Sequence, residues 1–267
     1  VSDESQTPLW IELDGAVNVR AVAPRMLLRA DNLQSLSARD VRRLVDEHGV
    51  EVVVDLRTDV EVKLEGAGPM CAEPGVRIEL RSLHPDSAGN IDLDPSTVKP
   101  WESHHDDESL EEPPVVRVYM SYLRRRPDSI VATVRTIARA RGAVLVHCAA
   151  GKDRTGVVVA LALDAAGVDR AKILADYLAS AQRIDAIFAR LLSSPLYRAE
   201  LEGLDPGRHA PVARSMERVL ELVDERHGGS AAWLSAHGLE DDDLQQLRQR
   251  LLPATANRNS AEGTPRR

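Results

Sequence analysis

Aromatic residues are scarce in this 267-residue chain: they make up 3 %, with a single phenylalanine. A core without large rings has to be packed from Leu, Val, Ala and Ile, and a hydrophobic content of 43 % is ample for that. Lysine is nearly absent, being confined to Lys63, Lys99, Lys152 and Lys172, so arginine carries almost all the positive charge. There is no excess of positive charge to grip nucleic acid, because the net charge is −8. No apolar run reaches membrane-spanning length and no charged-then-apolar leader is present, so no stable membrane association is expected. The cytoplasm is the default location, with signal-independent secretion left open. Two cysteines, Cys71 and Cys148, are too few for a disulfide framework, and in the cytoplasm both remain thiols.

Along the chain, residues 1–8 form a polar arm ending at Pro8, and 9–252 read as one domain. Strand-like segments stand at Trp10–Leu13 and Met26–Arg29. Ser37 caps a helix that runs to Gly49, and Val50-Glu51-Val52-Val53-Val54 is a buried strand. Thr58 caps a short acidic helix, and 75–83 resembles another strand. From His84 to Pro114 the periodicity dissolves into a long acidic loop. Two helices, 115–125 and 128–141, lead to the strand-forming run Ala143-Val144-Leu145-Val146. Beyond it the chain is helical over 155–166, 169–183, 185–202, 211–227, 230–237 and 239–252, and 253–267 lack periodicity, as a disordered tail would. Strands mixed with helices, then helices alone, predict an α/β domain with a helical C-terminal part.

The strand at Ala143 meets the helix at Val157 through His147-Cys148-Ala149-Ala150-Gly151-Lys152-Asp153-Arg154-Thr155-Gly156. A helix N-terminus presents unpaired N–H groups that attract an anion. The spacing from Cys148 to Arg154 lets a loop around one phosphate place a sulfur beneath it and a guanidinium beside it. Helix N-terminus, converging N–H groups and arginine all favour the thiolate. Arg154 can grip two phosphate oxygens at once. Thr155 can hydrogen-bond the sulfur, His147 organises the loop, and Gly151 and Gly156 permit close backbone approach and positive φ. Together with Ala149, Ala150 and Lys152 these residues line the expected phosphate site. The chemistry is that of a cysteine-dependent phosphatase working through a phosphocysteine, with no metal and no cofactor expected. Asp153, inside the loop, is the favoured proton donor; Asp86, on the long acidic loop, is the alternative.

The same residues admit other readings. The Gly-Lys pair is no nucleotide-binding loop, since Val146 and Asp153 stand where that motif needs Gly and Ser or Thr. Rhodanese-type sulfur transfer also uses a cysteine loop, but Arg154-Thr155-Gly156 favours phosphate. A phosphate-binding pseudophosphatase is disfavoured by the intact Cys148, Asp153 and Arg154. Asp55 and Arg57 end a strand near the loop and either brace it or form a structural salt bridge. His104-His105 beside Asp106-Asp107 are adjacent on a long loop and make no metal site. Cys71 is read as a packed side chain rather than a redox partner of Cys148.

The loop resembles that of the bacterial protein-tyrosine phosphatases of the tyrosine-serine phosphatase type, whose form His-Cys-x-Ala-Gly-Lys-Asp-Arg-Thr-Gly is matched from His147 to Gly156. Further segments resemble the same family: 13–20, Leu28-Arg29-Ala30-Asp31-Asn32-Leu33, 54–57, Ala175-Asp176-Tyr177-Leu178 and 228–252. One departure is Ala21, where the family usually has Asp after the arginine at Arg20. The resemblance implies a cysteine-phosphatase α/β domain with a central, mostly parallel sheet flanked by helices, and a helical lid for which 185–202 is the candidate. It implies phosphotyrosine as substrate, with phosphoserine, phosphothreonine and phosphoinositides beside it, or a dedicated phosphoinositide phosphatase. The partner is thus a phosphorylated protein or a phosphoinositide; oligomeric state is left open.

Overall fold

The structure is a computed structural model describing residues 7–84 and 111–252. Asp86, His104 and His105 lie outside the described residues, as do most of the acidic loop and the tail from 253.

Strands β1 (Leu9–Trp10), β2 (Arg20–Ala23), β3 (Leu27–Ala30), β4 (Val50–Asp55), β5 (Arg77–Leu80) and β6 (Ala143–His147) form one sheet in the order β1-β2-β3-β6-β4-β5. The first three pair antiparallel, while β3–β6, β6–β4 and β4–β5 are parallel. The sheet is therefore mostly parallel, as expected. Helices α1 (Ala38–Arg42) and α2 (Asp59–Glu65) belong to the first half of the chain, and α3 (Pro114–Arg125) and α4 (Pro127–Arg139) precede β6. After β6 come α5 (Arg154–Ala166), α6 (Arg170–Ala179), α7 (Ile184–Ser193), α8 (Pro195–Leu201), α9 (Ala213–His227), α10 (Ser230–Ala236) and α11 (Asp241–Leu251).

A parallel strand covered on both faces reads as an unbroken apolar run. That is why Ala143 to Val146 show no alternation in sequence. The alternation survives in packing: Val144 and Val146 join a large core with α3, α4, α5, α9, α10 and α11, while Ala143 and Leu145 join a second core with Val41 and Leu44. Local signals fix the short helices. Ser37 and Asp40 form a reciprocal capping box at α1, and Thr58 and Glu61 form another at α2.

Three sequence expectations shift. β2 escapes pattern reading because Arg20-Ala21-Val22-Ala23 has no strand signature; pairing with β3 makes it a strand. The predicted helix 185–202 is two helices, because Ser194 is extended (φ −87°, ψ 129°) and caps α8, which starts at Pro195. The strand expected at Trp10–Leu13 is only Leu9–Trp10. No helix of the described residues is long and apolar enough to cross a membrane.

Candidate active site

His147 closes β6 and Arg154 opens α5, so the loop between them issues from the middle of the sheet. Its carbonyls are held from outside, one after another. His147 Nδ1 lies 3.2 Å from Cys148 O, Asn32 N–H donates to Ala149 O (3.0 Å), and Asn18 Nδ2 donates to Ala150 O (2.9 Å). Arg29 Nη2 then donates to Gly151 O (2.7 Å) and Lys152 O (3.4 Å). A peptide whose carbonyl is pulled outward turns its N–H inward, and successive inward N–H groups make an anion nest. Gly156 and Val157 are the first residues of α5 to reach a carbonyl one turn back, which leaves the earlier N–H groups for a ligand. Gly151 has φ +66°, and a Cβ there would lie 2.3 Å from Ala30 O. Gly156, expected to share that conformation, is instead helical; its missing side chain admits the Tyr177 ring, 3.0 Å from where a Cβ would stand.

The arginine that holds these carbonyls is itself held. Arg29 and Arg20, both buried, converge on Asp176 of α6 at 2.5 and 2.8 Å. Arg20 also donates to Asn18 Oδ1 (2.7 Å), which orients the amide that grips Ala150. Burial and the neighbouring Arg29 lower the pKa of Arg20 to about 10, against the pull of Asp176. Burial alone would raise Asp176, but the two guanidinium groups hold it below the usual aspartate range. Because Asp176 serves as its acidic partner, Ala21 leaves Arg20 with no unpaired buried charge.

Cys148 is buried at the loop's base, and Gly151 N–H donates to its Sγ (3.3 Å). Arg154 is clasped by Glu61 of α2 through two bonds, Nη1 to Oε2 (2.6 Å) and Nη2 to Oε1 (2.8 Å). Burial opposes both charges, yet their pairing carries Arg154 well above its ordinary value and Glu61 below its own. Glu61 went unnoticed in the sequence, although the Thr58-x-x-Glu61 capping box is a local signal that it is oriented. The Thr155 hydroxyl does not reach the sulfur: it is buried and has no hydrogen-bond partner among the described residues. Beneath the loop, Arg57 pairs with Asp55 (2.6 Å), and Asp55 lies 3.6 Å from His147 Nε2. Burial lowers the pKa of His147, against the pull of Asp55.

Asp153 occupies the residue before α5 but makes no capping bond to the helix. Forgoing such a cap costs about 1 kcal/mol. Its Oδ1 accepts instead from Lys152 Nζ (2.7 Å) and Tyr119 OH (2.5 Å). Burial would raise this carboxyl, but Lys152, Tyr119 and Arg154 outweigh it and hold the group below the usual range. Cys148, Lys152, Asp153 and Arg154 share a cavity of about 370 Å³, walled by Val115, Val118, Tyr119 and Tyr122 of α3 and by Ile187, Phe188, Leu191 and Leu201 of α7 and α8. A larger hollow of about 450 Å³, between β1–β2, α6 and the end of α11, has no cysteine among the described residues that line it.

The segment 185–202 stands over this cavity. Ile187, Leu191, Leu196 and Tyr197 pack on Ala149 in a small cluster of their own. Polar links fasten it: Arg190 to Asp31 (2.9 Å), Tyr197 OH to Glu61 Oε1 (2.9 Å), and Ser194 Oγ to Glu65. Among the described residues, no cluster of His, Cys, Asp and Glu could hold a metal ion.

A nucleophile-bearing loop between the central strand of a mostly parallel sheet and a buried helix, with an arginine opening that helix, defines the α/β fold of the cysteine phosphatases. The chain belongs to the tyrosine phosphatase family, whose sequence model matches residues 13–253. It is 29 % identical to the "triple specificity protein phosphatase PtpB" of Mycobacterium tuberculosis, over 90 % of this chain and 98 % of that protein. It is 28 % identical to a tyrosine-protein phosphatase of Nostoc commune, over 88 % of this chain and 77 % of that one. The crystal structure of Pseudomonas aeruginosa TpbA aligns with a TM-score of 0.39 and 15 % identity, over 76 % of this chain and 93 % of the other.

Proposed function

We propose that this tyrosine phosphatase hydrolyses phosphomonoesters through Cys148, with the phosphoryl group seated in the loop 148–154. Cys148 Sγ attacks phosphorus in line, the inward N–H groups and Arg154 take the charge on the equatorial oxygens, and Asp153 protonates the departing oxygen. Water then attacks the phosphocysteine while Asp153, now a carboxylate, removes its proton. Asp153 is ionised in the free protein; a dianionic phosphate placed beside it raises its proton affinity and so arms it as an acid. One observation carries this reading: the carbonyls from Cys148 to Lys152 are all drawn outward above a buried sulfur. Asp153 is preferred to Asp86 because it lines the same cavity as Cys148 and is not used as a helix cap.

Phosphotyrosine is the primary substrate in this proposal, since the apolar walls around the loop suit an aryl group. The name of the mycobacterial relative adds phosphoserine and phosphothreonine as further candidates, and Lys152 offers charge for a phosphoinositide. Residues 9–252 act as one catalytic unit with 185–202 as its lid, working in a reducing cytoplasm. The test is p-nitrophenyl phosphate hydrolysis. Cys148→Ser is expected to lose turnover by 10⁴-fold or more, on the order seen when a covalent nucleophile is removed. Asp153→Ala is expected to lower kcat about 10²-fold, with Asp86→Ala close to the parent. Turnover retained by Cys148→Ser would refute the mechanism, and a collapse in Asp86→Ala alone would transfer the acid role.

A further inference from the structure

Asp153 has one oxygen occupied and one free. Oδ1 accepts from Tyr119 OH and Lys152 Nζ, while Oδ2 takes no hydrogen bond among the described residues. Tyr119 comes from α3 and is 1 % exposed. Its hydroxyl also lies 3.0 Å from that of Tyr177 on α6. A phenol has a single proton to donate. Tyr119 directs its proton to Asp153, so Tyr177 is the donor in the bond between the two tyrosines. The rings meet edge to face at 89°, and the Tyr177 ring fills the space left by Gly156 in α5. The pair is thus fixed by three helices before it touches the carboxyl.

We infer that Tyr119, backed by Tyr177, is the positioning residue of the proton donor: it pins Oδ1 and so assigns Oδ2 as the oxygen that gives and later takes the proton. The inference rests on Asp153 acting as the acid. In the first step the Oδ2 proton passes to the leaving oxygen as its bond to phosphorus breaks and the S–P bond forms. In the second, Oδ2 takes a proton from water as the water oxygen bonds phosphorus and the thiolate leaves. Tyr119 keeps its own proton throughout, because burial and the Asp153 charge push it well above its ordinary range. The other groups facing Asp153 are Lys152, Arg154 and Cys148 of the loop and Tyr122 of α3, with Glu200 and His209 across the cavity.

The test is the pH profile of kcat for a phosphotyrosine peptide and for p-nitrophenyl phosphate. Tyr119→Phe removes a bond that favours the carboxylate, so Asp153 holds its proton to higher pH and the alkaline limb moves up by about one unit. A misdirected acid lowers kcat about tenfold on the peptide and less on p-nitrophenyl phosphate, whose leaving group needs little protonation. Tyr177→Phe, which leaves the Tyr119–Asp153 bond in place, shifts the limb the same way by less. It also decides the matter if Tyr119→Phe fails to fold. A limb that stays put, with kcat falling equally on both substrates, overturns the role of Tyr119. Asp153→Asn that keeps its alkaline limb overturns the acid assignment, and this inference with it.

Discussion

The phosphate loop meets two very different supports. Its outer edge is braced by groups sealed in the interior: Arg29 and Asn18 hold the loop carbonyls, Asp176 and Arg20 hold them in turn, and Arg20, Arg29 and Asn18 are at most 1 % exposed. Its open side is covered by α7 and α8, whose links through Arg190, Ser194 and Tyr197 join a small apolar cluster separate from the main cores. Arg20 and Asn18 of the brace also bond Ser180 Oγ, and its arginines are sealed from water, so breaking it strands buried charge. The cover rests on one small apolar cluster and a few polar links, of which Arg190–Asp31 and Ser194–Glu65 are only partly sealed from water while Tyr197–Glu61 is buried. A site needs both properties. Rigid donors favour the transition state, and a separable cover lets substrate enter.

The sharpest way to break this contrast is Asp176→Ala. It leaves two buried guanidinium groups facing each other without a counter-charge, which destabilises the fold by about 3–5 kcal/mol. Urea unfolding should show that loss. Losing less than about 1 kcal/mol, the range of an exposed pair, would mean the brace is no stiffer than the cover.

The phosphate loop is legible in the sequence and its brace is not, and the reason is sequence distance. Strand, loop and helix around Cys148 are contiguous, so apolar runs and the Cys148–Arg154 spacing were enough to read them. Arg29 and Asp176 both lie in segments that resemble the family, yet 147 residues separate them, and no periodicity pairs them. In the sequence Glu61 is only part of an acidic helix, because its partner Arg154 lies 93 residues on. The Thr155 hydroxyl and the Gly156 backbone were misjudged for another reason. Composition tells which conformations a residue permits, and packing decides which it adopts: here the Tyr177 ring, not a turn, requires the glycine.

Acid should separate the two supports. Asp176 and Glu61 titrate below their ordinary ranges, where buried arginines outweigh the opposing effect of burial. A carboxylate with a lowered folded pKa stabilises the fold above its unfolded value, and that contribution fades as pH falls through the folded value. The brace therefore keeps its strength down to about pH 4, the unfolded carboxylate range, and weakens below it. Asp31 shifts the other way, because burial raises it further than Arg190 and the N–H groups of Asn18 and Val17 lower it. As pH falls, Asp31 takes up its proton first, and its charge pairing with Arg190 is lost while the brace still holds. Amide exchange across 184–201 should quicken at a higher pH than the one at which the thermal midpoint drops. Simultaneous onset would show that brace and cover form one cooperative unit.

The smallest change asks the same question at neutral pH. Tyr197→Phe deletes the bond from the cover to Glu61 and leaves no buried group stranded, because Arg154 and the Thr58 N–H still occupy that carboxylate. A hydrogen bond to a charged group contributes about 1.5–3 kcal/mol. That is enough to speed local opening of α7 and α8 by roughly tenfold or more, while the two bonds from Arg154 to Glu61 stay in place. Amide exchange should rise over 184–201 and stay unchanged in β3 and β6, with the KM for a phosphotyrosine peptide moving more than kcat. A fall in kcat with KM fixed would carry the opposite meaning. Tyr197 would then be holding Glu61, and through it Arg154, and the cover would be part of the rigid support.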